Sequence, residues 1–272
     1  MRHVHRLFGA GLVAMLAACA APLPTTNPAD LPSPHPGLVP GYLPMQQVVN
    51  SLALLPAPPQ AGSAAQAADD AAYRAAIAAK GSPRWQLAER DAELQFPRAA
   101  DAFACALGVP IRAETSPHLT MLMRRTLADA GLATAAAKDH YQRPRPFMVL
   151  GGEQCTPRED ASLRKNGSYP SGHSAIGWSW ALVLSEVAPD RTNALMRRGY
   201  EFAQSRVACG VHWESDVARG RDVAAAVVAQ LHGNADFNAQ LAEARKEVAR
   251  ARAAGLAPPA AECTAEAAAL KR

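Results

Sequence analysis

Apolar residues recur along this chain at the three-to-four-residue spacing of helix faces, and almost nowhere with the alternation of a half-buried strand. Leu119, Leu122, Met123, Leu127 and Ala130 mark one side of a helix that starts at Ser116-Pro117, with Gly131 as its expected break. Ala-rich stretches with charged punctuation predict helices over 64–80 and 85–94, and a further one over 97–107 ends near Gly108 and Pro110. From about 132 a helix carries Lys138 and stops before Pro144. The run from Ser174 to Val187 is almost wholly apolar, which marks a helix buried on several sides and too short to span a bilayer. Helices over 191–205, 216–233 and, with an amphipathic face, 237–254 follow. The pattern predicts one compact all-α domain from about 48 to 256, with a tail over 257–272.

The first residues break that pattern. A basic start (Arg2, Arg6) and an apolar run from Leu7 to Ala18 read as a signal peptide over 1–18 that is removed on export. Leu16-Ala17-Ala18-Cys19 resembles a lipobox, which makes Cys19 a lipidation candidate; Ala18-Cys19-Ala20 also fits ordinary signal cleavage. Residues 19–47 form a proline-rich tether or arm: 11 of the 22 prolines fall between 20 and 60, a composition that forces extended backbone. The expected location is the periplasm or cell envelope, with membrane contact only through a lipid on Cys19.

Charge and cysteines narrow the function. Without Arg2 and Arg6, 26 basic residues face 24 acidic ones, so no nucleic-acid-binding surface is expected. Cys105, Cys155, Cys209 and Cys263 suit two disulfides in an oxidising compartment, in any of three pairings. Their spacings match no zinc site, and neither metal nor cofactor is expected.

Chemistry concentrates between Lys138 and Asp216. Arg145, Arg206 and Lys138 supply cations of long reach, with Arg143 as a spare, and a planar guanidinium grips phosphoryl oxygens through a two-pronged fork. Pro170-Ser171-Gly172-His173 is a small-residue turn leading into the buried helix, where backbone N–H groups and the Ser171 hydroxyl can receive an anion. His173 stands where it can hand a proton to a leaving oxygen. His212 and Asp216 lie four residues apart, on one face of a helical turn, so the carboxylate can fix the imidazole tautomer and leave a nucleophilic lone pair.

Lys138-x6-Arg145-Pro146, Pro170-Ser171-Gly172-His173 and Ser205-Arg206-x5-His212-x3-Asp216 together resemble the three-part signature of the type 2 phosphatidic acid phosphatase superfamily. Its soluble branch, the class A bacterial non-specific acid phosphatases, is the nearer likeness, through stretches such as 50–56, 165–169, 181–186 and 205–213. The resemblance covers about 48–245. It implies an all-helical fold and an exported, broad-specificity acid phosphatase that hydrolyses small phosphate monoesters through a phosphohistidine, without metal. On the matching positions, His212 would attack phosphorus, Asp216 would orient it, and His173 would protonate the leaving group and then activate water. Lys138, Arg145, Ser171, Gly172 and Arg206 would hold the phosphate. Phosphotransfer to other alcohols and homo-oligomer formation are compatible with it. One departure is Pro144, where the family usually has no proline. A membrane-associated lipid or polyprenyl phosphate phosphatase is the alternative; vanadium-dependent halide oxidation, on an equivalent pocket, and a non-catalytic envelope lipoprotein are remote ones.

Overall fold

A computed structural model describes residues 22–33 and 38–271. The signal segment and Cys19 lie outside the described residues. Thirteen α-helices and no strand occur among the described residues. The first eight are α1 (Ser51–Leu54), α2 (Ala64–Ala78), α3 (Pro83–Asp91), α4 (Arg98–Leu107), α5 (Pro117–Ala133), α6 (Ala135–Tyr141), α7 (Pro146–Val149) and α8 (Asp160–Leu163). They are followed by α9 (Gly172–Val187), α10 (Thr192–Ala208), α11 (Glu214–Leu231), α12 (Ala235–Ala253) and α13 (Ala260–Ala269). None is long and apolar enough to cross a membrane.

Helix starts follow local chemistry. Asn50, Ser63, Ser82 and Asn234 each accept backbone N–H bonds at the first turn of α1, α2, α3 and α12, satisfying donors that have no partner inside the helix. The start of α5 has no such side chain of its own. Buried Glu247 of α12 accepts the N–H groups of His118 (3.0 Å) and Leu119 (2.9 Å) instead, an anion placed at the positive end of a helix.

The centre of the molecule is α9, packed by α10, α11, α5 and α12. Trp180 is fully buried there, with its indole N–H donating to the Met123 carbonyl at 2.9 Å and its ring meeting Phe96, Phe103 and Phe202 edge-on. Helices α9 and α10 touch backbone to backbone because Gly177 and Gly199 have no side chain. A methyl group at Gly199 would come 2.3 Å from the Ala181 Cβ.

Three features depart from the sequence pattern or add to it. Gly131 does not break α5. The helix runs on to Ala133 and turns at Thr134, whose hydroxyl donates to the Gly131 carbonyl at 2.8 Å. The disulfides pair Cys105 with Cys263 and Cys155 with Cys209. The first fastens α13, a helix in the stretch read as a tail, whose Glu266 accepts from buried Arg198 at 2.9 Å. Upstream, residues 41–43 dock on α5. Asp129 accepts the N–H groups of Tyr42 (2.8 Å) and Leu43 (3.0 Å), and Arg125 donates to the Gly41 carbonyl and lies over the Tyr42 ring. Burial pushes the Asp129 carboxyl up to about 6.

Candidate active site

The site forms where the start of α9, the end of α10 and the start of α11 meet. Ser171 caps α9, its Oγ accepting from the Ser174 N–H (3.3 Å) and hydroxyl (2.9 Å), which leaves the Ser171 hydroxyl proton uncommitted. Its backbone N–H donates to the Asp216 carbonyl at 3.0 Å, fastening the Ser171 turn to α11. Gly220 makes that approach feasible, since a Cβ there would stand 2.5 Å from the Ser171 carbonyl oxygen. Gly172 opens α9, about 4.0 Å from the Lys138 side chain by the same measure. Lys138 itself donates to the Gly167 carbonyl at 2.8 Å.

The turn after α10 folds back so that the N–H groups of Val211 and His212 both donate to the Arg206 carbonyl, and the Cys155–Cys209 disulfide holds it from outside. This brings His212 beside Arg145, whose NH1 lies 3.0 Å from the imidazole Nε2. A guanidinium can only donate, so Nε2 carries the lone pair and the proton sits on Nδ1. That nitrogen faces Asp216 Oδ2 at 3.3 Å. Asp216, fully buried in the first turn of α11, also accepts the Trp213 N–H at 2.9 Å. His173 is held differently: its Nε2 donates to the Ala92 carbonyl at 3.0 Å, which leaves Nδ1 as the acceptor.

Arg145 spends Nε and NH1 on the carbonyls of Leu163 (2.9 Å) and Val211 (3.0 Å) as well as on His212. Arg206 is different in kind. Its guanidinium is fully buried, and Nε, NH1 and NH2 find no hydrogen-bond partner among the described residues. Buried donors without partners are rare and strongly disfavoured, more so when charged.

The cations and burial set the protonation states. Desolvation, helped by Arg145 and Arg206 and opposed by Asp216, pushes the Lys138 ammonium down to about 7. Burial pushes Arg145 and Arg206 each down to about 10. His212 sits well below the ordinary imidazole value through burial and then Arg145, and His173 does so through burial and then Arg206. Both are therefore neutral near pH 7. Burial pushes the Asp216 carboxyl upward against the pull of Arg143.

All the residues singled out between Lys138 and Asp216 for this chemistry meet in one place. Arg143 is the exception in role: it turns away from the pocket and bonds Asp216, Asp69, Ser215 and Gln66. Pro144 contributes its carbonyl, which accepts the Trp213 indole N–H at 2.9 Å. Asp69 and the Ala92 carbonyl were not picked out from sequence. Asp69 sits on α2 amid Ala-rich, charge-punctuated sequence, and a backbone carbonyl has no sequence signature. No group of three or more His, Cys, Asp or Glu residues is gathered as for a metal ion among the described residues.

Comparison with known proteins shows the family. The PAP2 superfamily model matches residues 119–236. The chain is 45% identical over 210 residues to a non-specific acid phosphatase of Providencia stuartii, covering 77% of this chain and 85% of that one. It is 44% identical over 204 residues to a non-specific acid phosphatase of Salmonella typhimurium, covering 75% and 82%. An acid phosphatase of Zymomonas mobilis is 41% identical over 207 residues, covering 76% and 78%. With its helical fold and likeness over most of both chains, this protein belongs to the PAP2 superfamily, among the bacterial non-specific acid phosphatases.

Proposed function

We propose that this phosphoric monoester hydrolase acts on a broad range of phosphate monoesters through a phosphohistidine on His212, without a metal ion. The observation that carries the reading is the Arg206 guanidinium, buried with three uncommitted nitrogens beside Lys138, Arg145 and both histidines. A phosphoryl dianion supplies the acceptors these donors lack. In that position the chain's own cations neutralise charge building on the equatorial oxygens, as a metal would in other phosphatases.

In this mechanism Arg206, Arg145, Lys138, the Ser171 hydroxyl and the N–H groups at the start of α9, Gly172 included, hold the phosphoryl oxygens. Arg145 shifts its NH1 from His212 to the phosphate, freeing the Nε2 lone pair. Nε2 attacks phosphorus, and the bond between phosphorus and the ester oxygen breaks. The leaving oxygen keeps the electron pair and takes a proton from His173 Nδ1. Asp216 accepts the Nδ1–H bond of His212 throughout and stabilises the positive charge on the phosphorylated ring. Water, losing a proton to the now neutral His173, attacks phosphorus and returns His212 with inorganic phosphate. An alcohol in place of water would give phosphotransfer.

His173 is neutral in the free enzyme, and the incoming dianion raises its affinity for the proton it must donate. Activity is therefore favoured on the acid side. Two disulfides support folding in an oxidising compartment, and we assign the enzyme to the periplasm; mass spectrometry of the mature N-terminus distinguishes a lipidated Cys19 from ordinary cleavage. The central test is to quench turnover of an aryl phosphate in alkali and look for an acid-labile, alkali-stable phosphoenzyme on His212. Failure to trap one during a resolved burst, or clear loss of activity with EDTA, sinks the reading.

A further inference from the structure

Taking His212 as the nucleophile, we propose that Arg143 and Asp69 are positioning residues that keep Asp216 ionised and aimed at His212. Asp69, Arg143 and Asp216 alternate in charge, and His212 continues the alternation once its ring is phosphorylated. Asp216 divides its two oxygens: Oδ2 serves the Trp213 N–H and His212 Nδ1, while Oδ1 accepts from Arg143 NH1 at 2.7 Å. Arg143 is only 7% exposed, and its guanidinium is occupied. NH1 also donates to Ser215 Oγ at 2.8 Å, and NH2 donates to Gln66 Oε1 at 2.7 Å and Asp69 Oδ2 at 2.9 Å. The cation lies over the Trp213 ring, 5.1 Å from its centre. Asp69, 3% exposed, accepts the Ser215 N–H at 2.9 Å and its hydroxyl.

The arrangement has a direct consequence. A fully buried carboxyl resists ionisation, and a protonated Asp216 could not support the charge that forms on His212. The Arg143 charge opposes that burial most, and the Trp213 N–H bond and Lys138 on α6 add to it. Asp216 also shares its surroundings with Arg145, with His212 on the preceding turn and with Tyr169 ahead of α9. Only Arg143 among these cations bonds the carboxylate directly. Asp69 in turn holds Arg143 away from the phosphate oxygens and ties it to α11 through Ser215. Asp69 comes from α2, outside the segment that matches the superfamily, so the nucleophile's support is completed by a helix upstream of it.

The test uses the full enzyme with Asp69→Asn and Arg143→Met, each checked for its melting temperature. Asp69→Asn keeps the shape and removes the charge; its kcat should fall about 10-fold with KM nearly unchanged, an effect on the transition state rather than on binding. Arg143→Met should move the acid limb of the kcat/KM profile to higher pH, because Asp216 then takes a proton more readily. Arg143→Lys should restore part of that shift. If Arg143→Met does not fold, the double variant Arg143→Met with Asp69→Leu replaces the buried pair by apolar groups and should show the same displaced limb.

A folded Asp69→Asn enzyme with normal kcat overturns the role of Asp69. An unmoved acid limb in folded Arg143→Met, or in the double variant if the single one does not fold, overturns that of Arg143. Trapping in the wild-type enzyme separates the two levels. Absence of phosphohistidine there refutes the nucleophile assignment, whereas phosphohistidine with unchanged variants refutes only this inference.

Discussion

His212 and His173 share one cation-rich pocket, and burial keeps both neutral near pH 7, yet they are held by partners of different kinds. His212 faces a carboxylate that is itself backed by an arginine and a second carboxylate. His173 leans on a single backbone carbonyl at the end of α3. A carboxylate can stabilise a positive ring for the lifetime of an intermediate, whereas a carbonyl fixes orientation and little else. On the proposed mechanism, the first suits a group that carries phosphorus, the second a group that must gain and lose a proton within one turnover. The acid side has its own charged frame, but at one remove. Asp91, next to Ala92, binds Arg198 and accepts from the Ser205 hydroxyl at 2.6 Å, beside Arg206.

The largest effect expected from breaking this contrast is His212→Ala. Turnover should drop on the order of 10⁴-fold or more for every ester, whatever its leaving group. His173→Ala should slow the phosphorylation step on the order of 10²- to 10⁴-fold with alkyl phosphates and much less with p-nitrophenyl phosphate, whose leaving oxygen needs no proton. With that substrate a burst of nitrophenol should precede slow hydrolysis, because the second step lacks its base. Equal losses in the phosphorylation step on the two substrates would erase the distinction between the histidines.

Arg206→Met should abolish the rise in melting temperature that inorganic phosphate gives the wild type. It should also stabilise the phosphate-free protein by roughly 1–3 kcal/mol, by removing a buried charge without a bonded partner. Calorimetry with and without phosphate measures both; a destabilised variant would contradict the idea of a cation waiting for its anion.

Protonation gives a smaller and signed effect. Below about pH 6.5 the imidazoles of the unfolded chain take up protons while His173 and His212 in the folded chain do not. Stability therefore falls as the pH is lowered, by ~1.4 kcal/mol per pH unit for each histidine until its folded value is reached. Phosphate should reverse part of this loss by drawing protons in, seen as proton uptake when its binding is titrated in buffers of different ionisation enthalpy. Gly220→Ala acts on the scaffold alone: a new methyl group pressing on the Ser171 carbonyl should cost about 1–3 kcal/mol. It should weaken phosphate binding while the His212–Asp216 pair survives, which nuclear magnetic resonance of the imidazole protons can check.

The fold and the convergence of the candidate residues are legible in the sequence for different reasons. Helix α9 announces itself because a core helix must be apolar all round, and the pocket because three short clusters hold residue types that seldom occur together. What sequence misreads is whatever depends on distant partners. Arg143 looks like a spare phosphate grip because it stands two residues from Arg145; only the arrival of α2 shows that it faces the other way. Asp69 looks like one more charge on an Ala-rich helix, and burial against Arg143 and Ser215 is invisible in its neighbours. Gly131 suggests a break that the packing of α5 against α9 overrides. The pairing of Cys105 with Cys263 waits on the docking of α13.

The docked segment at Tyr42 and Leu43 also has a mechanical meaning. Two N–H bonds to Asp129, the Arg125 contacts with Gly41 and Tyr42, and the Asn234 amide on the Tyr42 carbonyl at 2.9 Å all grip the same three residues. A pull on the proline-rich arm is shared among these bonds and passes into α5 and α12, the two helices also joined by Glu247. The load enters the scaffold through α5 and the start of α12, and none of these bonds is made to the turn that carries Ser171 and His173.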